Sequence, residues 1–131
     1  STYTVIGNPF ANSSEGRAHV YSTTTGQFIR TLASATPTTS AYFGNSVSVF
    51  GNYAVVGEPF PGSSSTGHAY LFDLTTGAMI RDIAFPGQPS GSYGGDFGNS
   101  VGMDGNNIIV GAPTDGTNEY SGGAAFIFPV A

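Results

Sequence analysis

The sequence predicts an all-β protein of about ten short strands, arranged in stacked sheets of up to four antiparallel strands. Three observations predict it. The 131 residues include 20 glycines and 8 prolines among many Tyr, Phe, Val and Thr, a mixture typical of short strands joined by tight turns. Residues 43–60 read as a β-hairpin, with a Gly51-Asn52 turn and with Pro59 ending the second strand. This hairpin recurs, whole or in part, along the chain.

The recurrence is a repeat of roughly fifty residues that covers the whole chain. Equivalent glycines and turns keep the same order and similar spacing in each copy, which local propensity alone would not produce. Gly7, Gly57 and Gly111 are separated by 50 and 54 residues. The pairs Phe43-Gly44 and Phe97-Gly98 are separated by 54 residues, and the turns 24–26 and 75–77 by 51. One unit therefore contains four strands, A to D.

Each strand can be placed in order from its hydrophobic pattern and the turn that follows it. The first unit, residues 1–42, has only B, C and D; the central unit, 43–96, has all four; the last, 97–131, has A, B and C. In chain order we predict B 3–8, C 17–21 and D 27–32, then A 44–50, B 53–58, C 68–74 and D 78–85, then A 98–103, B 107–112 and C 124–128. In all copies of strand C, large side chains occur in both of the alternating sets that point to opposite faces. We therefore expect neighbouring sheets to cover both of its faces.

Composition excludes several classes of function. Three arginines face eight acidic residues, for a net charge of -5, so no basic patch exists to bind nucleic acid. No apolar run approaches the roughly 20 residues that span a bilayer, so we expect no membrane insertion. Without cysteine, disulfides and thiolate metal sites are also excluded.

The motifs Phe43-Gly44 with Gly57-Glu58-Pro59, and Phe97-Gly98 with Gly111-Ala112-Pro113, resemble the FG-GAP repeat of integrin-α-type β-propellers. The Thr-Thr-Gly turn followed by Ile-Arg looks like the version found in secreted or surface-exposed bacterial proteins. The resemblance implies one blade per unit with strand A nearest the axis, and an extracellular or cell-surface location. The calcium-binding members carry an Asp-rich loop between A and B. That loop is absent here, so we expect no cofactor, and the family's calcium sites are not carried over.

One complete and two partial blades do not close a propeller, which typically needs 4–8 blades. The exposed strand edges and blade faces must be covered. We therefore expect an extracellular structural or adhesive module that acts through protein–protein contacts. It would either associate with itself into a ring or fibre or form part of a longer propeller. Carbohydrate or other ligand binding is the first alternative, and a fragment of a larger propeller enzyme is the second.

The resemblance also places the B–C and D–A loops on one face, which we call the loop face, where surface proteins or glycans could bind. The sequence marks four candidate interaction residues there, Phe10, Phe60, Asp115 and Tyr120. Within the loop 114–122, oxygen ligands of Asp115, Asn118 and Glu119 are a weak cation candidate, since Asp-Gly turn chemistry explains them equally well. Asn12 begins an N-glycosylation triplet, 12–14.

We predict no enzyme and no catalytic residue. Residues 98–102 match the G-x-S-x-G nucleophile pattern, but that pattern needs a following helix and here it opens a strand. His19 and His68 occupy different repeat positions, which favours packing or surface roles over an acid–base pair. Arg30 and Arg81 recur at one position of strand D, which favours an edge-strand charge against unwanted pairing, with a contact to the neighbouring unit as the alternative.

Overall fold

The computed structural model of the chain describes residues 2–60, 67–84, 96–113 and 123–130. They form three antiparallel sheets whose strands follow chain order. The first blade contains β1 (Tyr3–Asn8), β2 (Arg17–Ser22) and β3 (Phe28–Leu32). The central blade contains β4 (Ser46–Phe50), β5 (Tyr53–Glu58), β6 (His68–Asp73) and β7 (Met79–Ala84). The last blade contains β8 (Ser100–Met103), β9 (Asn107–Ala112) and β10 (Ala124–Pro129). The predicted 3 + 4 + 3 order of strands is confirmed.

Strand bounds agree with the sequence except near the Phe-Gly pairs and at some strand ends. The predicted A strands began at Gly44 and Gly98, whereas β4 and β8 begin two residues later. Both glycines have left-handed φ angles, +90° and +95°, which extended strands do not accommodate. Each Phe-Gly pair therefore lies before its strand, where the pair can contact the preceding blade.

The two A–B turns differ from each other. Gly51 adopts a φ of +60°, as a tight hairpin turn requires, while Asn52 does not have a left-handed φ, so only the first central residue uses that region. In the last blade, the A–B turn is stabilised instead by the Asp104 carboxylate. Its Oδ1 accepts hydrogen bonds from the backbone N–H groups of Asn106 and Asn107, both at 2.7 Å, and these bonds lower the pKa of Asp104.

The core lies between the sheets. One cluster joins the first and central blades, and a second joins the central and last blades. The central blade contributes to both clusters because successive side chains of a strand point to opposite faces of the sheet. Val56 of β5 faces the first blade, while Val55 faces the last. Each interface contains the phenylalanine of a Phe-Gly pair, Phe43 in the first and Phe97 in the second, and both rings are fully buried.

The Phe-Gly pairs dock on glycines of the preceding blade. Gly16 forms an isolated parallel bridge with Phe43, and a Cβ on Gly16 would lie 1.9 Å from the Phe43 carbonyl oxygen. Between the next two blades the same contact is repeated, since a Cβ on Gly67 would lie 1.5 Å from the Phe97 oxygen. Only glycine allows two backbones to approach this closely. The recurring glycines are thus contact points between blades.

The prediction that strand C is covered on both faces is confirmed only for the central copy. In β6 the four inner residues are all buried, whereas burial alternates in β10 and in most of β2. The first and last blades each have only one described neighbour, so no described residue packs on the other face of each, which we call the free face. The free face of the first blade carries Ile6, His19, Tyr21 and Phe28; that of the last carries Ile109, Gly111, Ala125 and Ile127.

The two recurring arginines link neighbouring blades. The Arg30 guanidinium donates hydrogen bonds to the backbone oxygens of Thr76 at 2.7 Å and Thr75 at 3.2 Å, in the C–D turn of the central blade. Arg81 makes the corresponding contact one blade further, to the backbone oxygen of Pro129. The structure thus supports the neighbour-contact interpretation, and the favoured edge-charge explanation does not account for these bonds.

Candidate functional site

The B–C and D–A connections come together at one end of the sheets. Strand pairing requires this, because Ser46 at the start of β4 pairs with Gly57 near the end of β5, and His68 at the start of β6 pairs with Ala84 at the end of β7. The described part of this loop face contains the segments 9–16, 33–45, 59–60 and 96–99 and the single residues 67, 113 and 123. It is the end at which the sequence predicted an interaction surface.

A row of three aromatic rings lies on the loop face. The Tyr42 ring contacts Phe10 on one side, with centroids 5.9 Å apart, and Phe60 on the other, at 5.5 Å, both edge to face. Phe10 is 73% exposed and Phe60 is 37% exposed. Such a row presents apolar area with few rotatable bonds, a property of binding surfaces in general. We call it the aromatic row.

Backbone hydrogen bonds hold the aromatic row in place. The Tyr42 N–H donates to the Ser14 carbonyl at 3.0 Å, and the Phe60 N–H donates to the Ala41 carbonyl at 3.2 Å. Tyr42 itself has a φ of +61°, a sterically costly conformation for a residue with a bulky side chain. The row is therefore built by two blades and the connection between them.

The sequence prediction found the two ends of the row and missed its centre. Phe10 and Phe60 were candidates because each precedes a B–C loop of the loop face, but only the fold shows that Tyr42 joins them. The left-handed backbone of this position, which Tyr42 shares with its counterpart Asp96 at a φ of +58°, is visible only in the structure, so the sequence held no signal that singled out Tyr42.

The remaining predicted residues divide into two groups. Asn12 is exposed, with a φ of +50°, in the short turn α1 (Ala11–Ser14), which is not a regular helix because Ser13 is also left-handed. The loop 114–122 lies outside the described residues, so the predictions for Asp115, Asn118, Glu119 and Tyr120 stay untested.

A buried polar network, absent from the sequence prediction, lies beneath the loop face. Tyr70 donates its hydroxyl proton to Glu58 Oε1 at 3.0 Å, and Ser34 Oγ donates to the Tyr70 hydroxyl at 3.3 Å. Glu58 is fully buried, and its Oε2 has no hydrogen-bond partner within the part of the chain that the structure describes. Burial raises the pKa of Glu58, and it also raises that of Tyr70, which therefore remains a hydrogen-bond donor.

The network spans the interface of the first and central blades, since Ser34 follows β3 and the other two residues belong to β5 and β6. The His68 ring stacks on Tyr70 with centroids 5.6 Å apart, and its Nδ1 lies 2.5 Å from Asp82 Oδ1. Neither the second interface nor any other described region repeats this group, because Ala112 and Phe126 hold the positions of Glu58 and Tyr70.

The other sequence candidates for chemistry do not assemble into a site. His19 lies 3.2 Å from Thr31 Oγ1 in the first blade, whereas His68 pairs with Asp82 in the central one. Ser100 opens β8, with no helix in the described residues that follow. Within residues 2–60, 67–84, 96–113 and 123–130, no three His, Asp or Glu side chains are grouped closely enough to hold a metal ion. No helix in these ranges is long and apolar enough to cross a membrane.

Comparison with solved structures identifies the fold. The chain is similar to the Cps50 (Swd1) β-propeller domain of Myceliophteria thermophila, with 14% identity and a TM-score of 0.50, covering 89% of this chain and 34% of that one. It is also similar to a candidate 6-phosphogluconolactonase from Bacteroides uniformis, with 19% identity and a TM-score of 0.54, covering 98% and 33% respectively. The chain spans about a third of the length of these structures, and at such identities the likeness shows the fold alone.

Sequence comparison identifies the family. Among curated proteins, none matches the chain. The family model of the FG-GAP repeat matches it twice, at residues 31–72 and 88–128, which together make up more than half of its length. Each match contains one Phe-Gly pair with its Gly-x-Pro motif, the features that dock one blade on the next. The chain therefore belongs to the FG-GAP repeat family of β-propeller proteins.

Proposed function

We propose that the chain is a non-enzymatic structural or adhesive module, extracellular or at the cell surface, which acts through protein–protein contacts. It associates with further copies of itself into a ring or fibre, or with the remaining blades of a longer propeller. The observation that carries this proposal is the pair of uncovered apolar blade faces. Large exposed apolar surfaces in soluble proteins mark interaction sites.

The exposed side chains on these faces have buried counterparts in the central blade. Ile127 is 69% exposed, whereas Leu71 at the same repeat position is 1% exposed; Ile6 is 53% exposed, whereas its counterpart Val56 is fully buried. Each face is thus built like an interface, and we infer that a further blade covers it in the functional assembly.

Static light scattering after size-exclusion chromatography tests self-association. We expect a concentration-dependent mass above the 13.4 kDa of one chain, and rings or fibres in negatively stained images. A folded chain that remains a 13.4 kDa monomer throughout the micromolar range would contradict this part of the proposal.

The second candidate function is binding of a carbohydrate or another ligand at the loop face, and the aromatic row favours it. Exposed aromatic rings bury apolar area against a ligand at low conformational cost. The candidate residues Asp115 and Tyr120 belong to the same face in the predicted topology, as do the weak cation ligands Asn118 and Glu119 and the glycosylation triplet at Asn12. These assignments remain predictions.

A glycan array tests the second candidate. If the loop face binds glycans, we expect Phe10→Ala to reduce the signal roughly two- to tenfold, since an aromatic contact is worth roughly 0.5–1.5 kcal/mol. Phe50→Ala is the matched control, because Phe50 is 50% exposed at the opposite end of the blade. No glycan signal from the unsubstituted chain, or an equal loss with both variants, would count against it.

The third alternative, a part of a larger propeller enzyme, has the weakest support. The Bacteroides uniformis structure carries the name of a lactonase, but its 19% identity supports a shared fold only. Activity of a longer chain containing these blades would decide this alternative.

A further inference from the structure

The geometry points to the partner and the surfaces: we propose that the free face of the last blade binds the free face of the first blade of a second copy, head to tail. This inference rests on the self-association proposed above and goes further, because it states which two surfaces meet and that they are different surfaces.

The first argument is that unlike faces pair at both contacts within the chain. In the first contact, Val20 lies on one side and Val56 on the other; in the second, Leu71 lies on one side and Val110 on the other. Val20 and Leu71 occupy the same repeat position, and so do Val56 and Val110. The last blade presents Ile127 at the Leu71 position, and the first blade presents Ile6 at the Val56 position. A head-to-tail contact would therefore repeat the internal pairing a third time.

The second argument is that the free face of the last blade keeps the shape of a docking face. Gly111 holds the position of Gly57, and Gly102 adds a second residue without a side chain. A shallow depression lies here, lined by Val101, Ile109, Ala125 and the two glycines. Ile109 and Ile127, at 46% and 69% exposure, flank it. A face of glycine, alanine and isoleucine has room for the larger side chains of an incoming blade.

The third argument is that the free face of the first blade supplies those larger side chains. The Phe28 ring, 57% exposed, packs edge to face on Tyr21 at 5.8 Å and lies 6.3 Å from His19. In the central blade the equivalent positions are Met79, Phe72 and Tyr70, which pack against the first blade. The large rings on one free face thus match the small residues on the other, as they do inside the chain.

This pairing is heterologous, and that property makes it testable. A surface that binds a different surface of the next copy produces rings when the rotation closes and fibres when it does not, and in both cases each copy uses two faces. A variant blocked on one face retains the other. Two chains blocked on opposite faces should therefore bind each other, although neither binds itself.

The experiment uses Ile127→Asp to block the free face of the last blade and Phe28→Asp to block that of the first. Ile80→Asp is the matched control, because Ile80 is 48% exposed on β7 of the central blade and belongs to neither free face. Far-UV circular dichroism and urea denaturation verify that every variant is folded. Ile109→Asp provides a second block of the last blade should Ile127→Asp fail to fold.

We expect the control to associate like the unsubstituted chain and each face variant alone to be monomeric, with self-association weakened at least tenfold. An equimolar mixture of the two face variants should form a 1:1 complex and nothing larger, measured by sedimentation velocity. A single face variant that still self-associates, or a mixture that stays monomeric, would overturn the head-to-tail inference while leaving self-association intact. A monomeric unsubstituted chain would overturn both, and would mean that something other than a second copy covers the free faces.

Discussion

Replacing Gly57 with alanine should lower the free energy of unfolding by about 3 kcal/mol, at the upper end of the cost of overpacking a core. The reason is a contact between backbones. A Cβ on Gly57 would lie 2.0 Å from the carbonyl oxygen of Gly98 and 2.5 Å from Ser46 Oγ. The serine can rotate away, but the carbonyl belongs to the Phe-Gly pair of the last blade and cannot move without separating the two blades.

Gly111→Ala is the control, because Gly111 has the same position in the repeat but no backbone carbonyl of a described Phe-Gly pair packs on it. Its added Cβ would meet only Ser100 Oγ within 3 Å, at 2.3 Å, and the side chain of an exposed serine can change rotamer. We expect the free energy of unfolding to change by less than about 1 kcal/mol. Both glycines lie in the B strand of their blade, so intrinsic β-propensity affects the two variants alike.

Urea denaturation followed by tyrosine fluorescence measures both variants. A loss for Gly57→Ala that is several times that for Gly111→Ala would show that docking of the Phe-Gly pair, and not the strand itself, imposes the glycine. Equal losses would contradict this explanation, and would mean that both glycines are needed by their own sheets.

Most of the fold could be predicted from the sequence because the signals are local and repeated. The B strands, which begin at Tyr3, Tyr53 and Asn107, have the predicted bounds in the structure. Each ends just before the proline of a Gly-x-Pro motif, and an A–B turn precedes the strands that begin at Tyr53 and Asn107, so no tertiary information was needed. The starts of the A strands were less accurate, because Gly44 and Gly98 take their conformations from contacts with another blade.

The candidate site was harder to predict because it depends on residues from different blades. Nothing local in the sequence relates Tyr42 to Phe10 or Phe60, and the row forms only when the first two blades pack. Glu58 was interpreted only as the middle residue of a Gly-Glu-Pro motif that ends a strand. Its counterparts Asn8 and Ala112 are exposed and apolar respectively, so the repeat gave no expectation of a buried carboxyl group.

Glu58→Gln should stabilise the protein at neutral pH by about 1 kcal/mol, because it removes a charge that burial desolvates, while its own amide N–H2 still lacks a described partner. Glu58 is fully buried, only its Oε1 has a hydrogen-bond partner in the described residues, and burial raises its pKa above the ordinary value of 4.5. A neutral amide retains an oxygen that can accept the proton of Tyr70 and carries no charge to desolvate.

The pH dependence gives the sign of the effect. Because the pKa of Glu58 is higher in the folded than in the unfolded state, the folded protein binds this proton more tightly. The stability that Glu58 contributes is complete below pH 4.5 and is lost as the pH rises through the folded-state pKa. Glutamine does not titrate, so the advantage of Glu58→Gln over the unsubstituted chain should be small in acid and grow towards neutral pH. The other carboxyl groups titrate alike in both proteins, so the difference in their free energies of unfolding at each pH reports on Glu58.

Tyr70→Phe provides the opposite test. It removes the hydrogen bond that Tyr70 donates to Glu58 Oε1, so the ionised carboxylate would lose a donor while the protonated acid would lose less. We expect stability to fall more steeply with rising pH in Tyr70→Phe than in the unsubstituted chain, and to fall least in Glu58→Gln, as measured by urea midpoints between pH 4 and 8. If Glu58→Gln were instead destabilised equally at every pH, the carboxyl group would be uncharged or fully paired throughout. The network of Ser34, Tyr70 and Glu58 would then act only as a neutral contact between the first two blades.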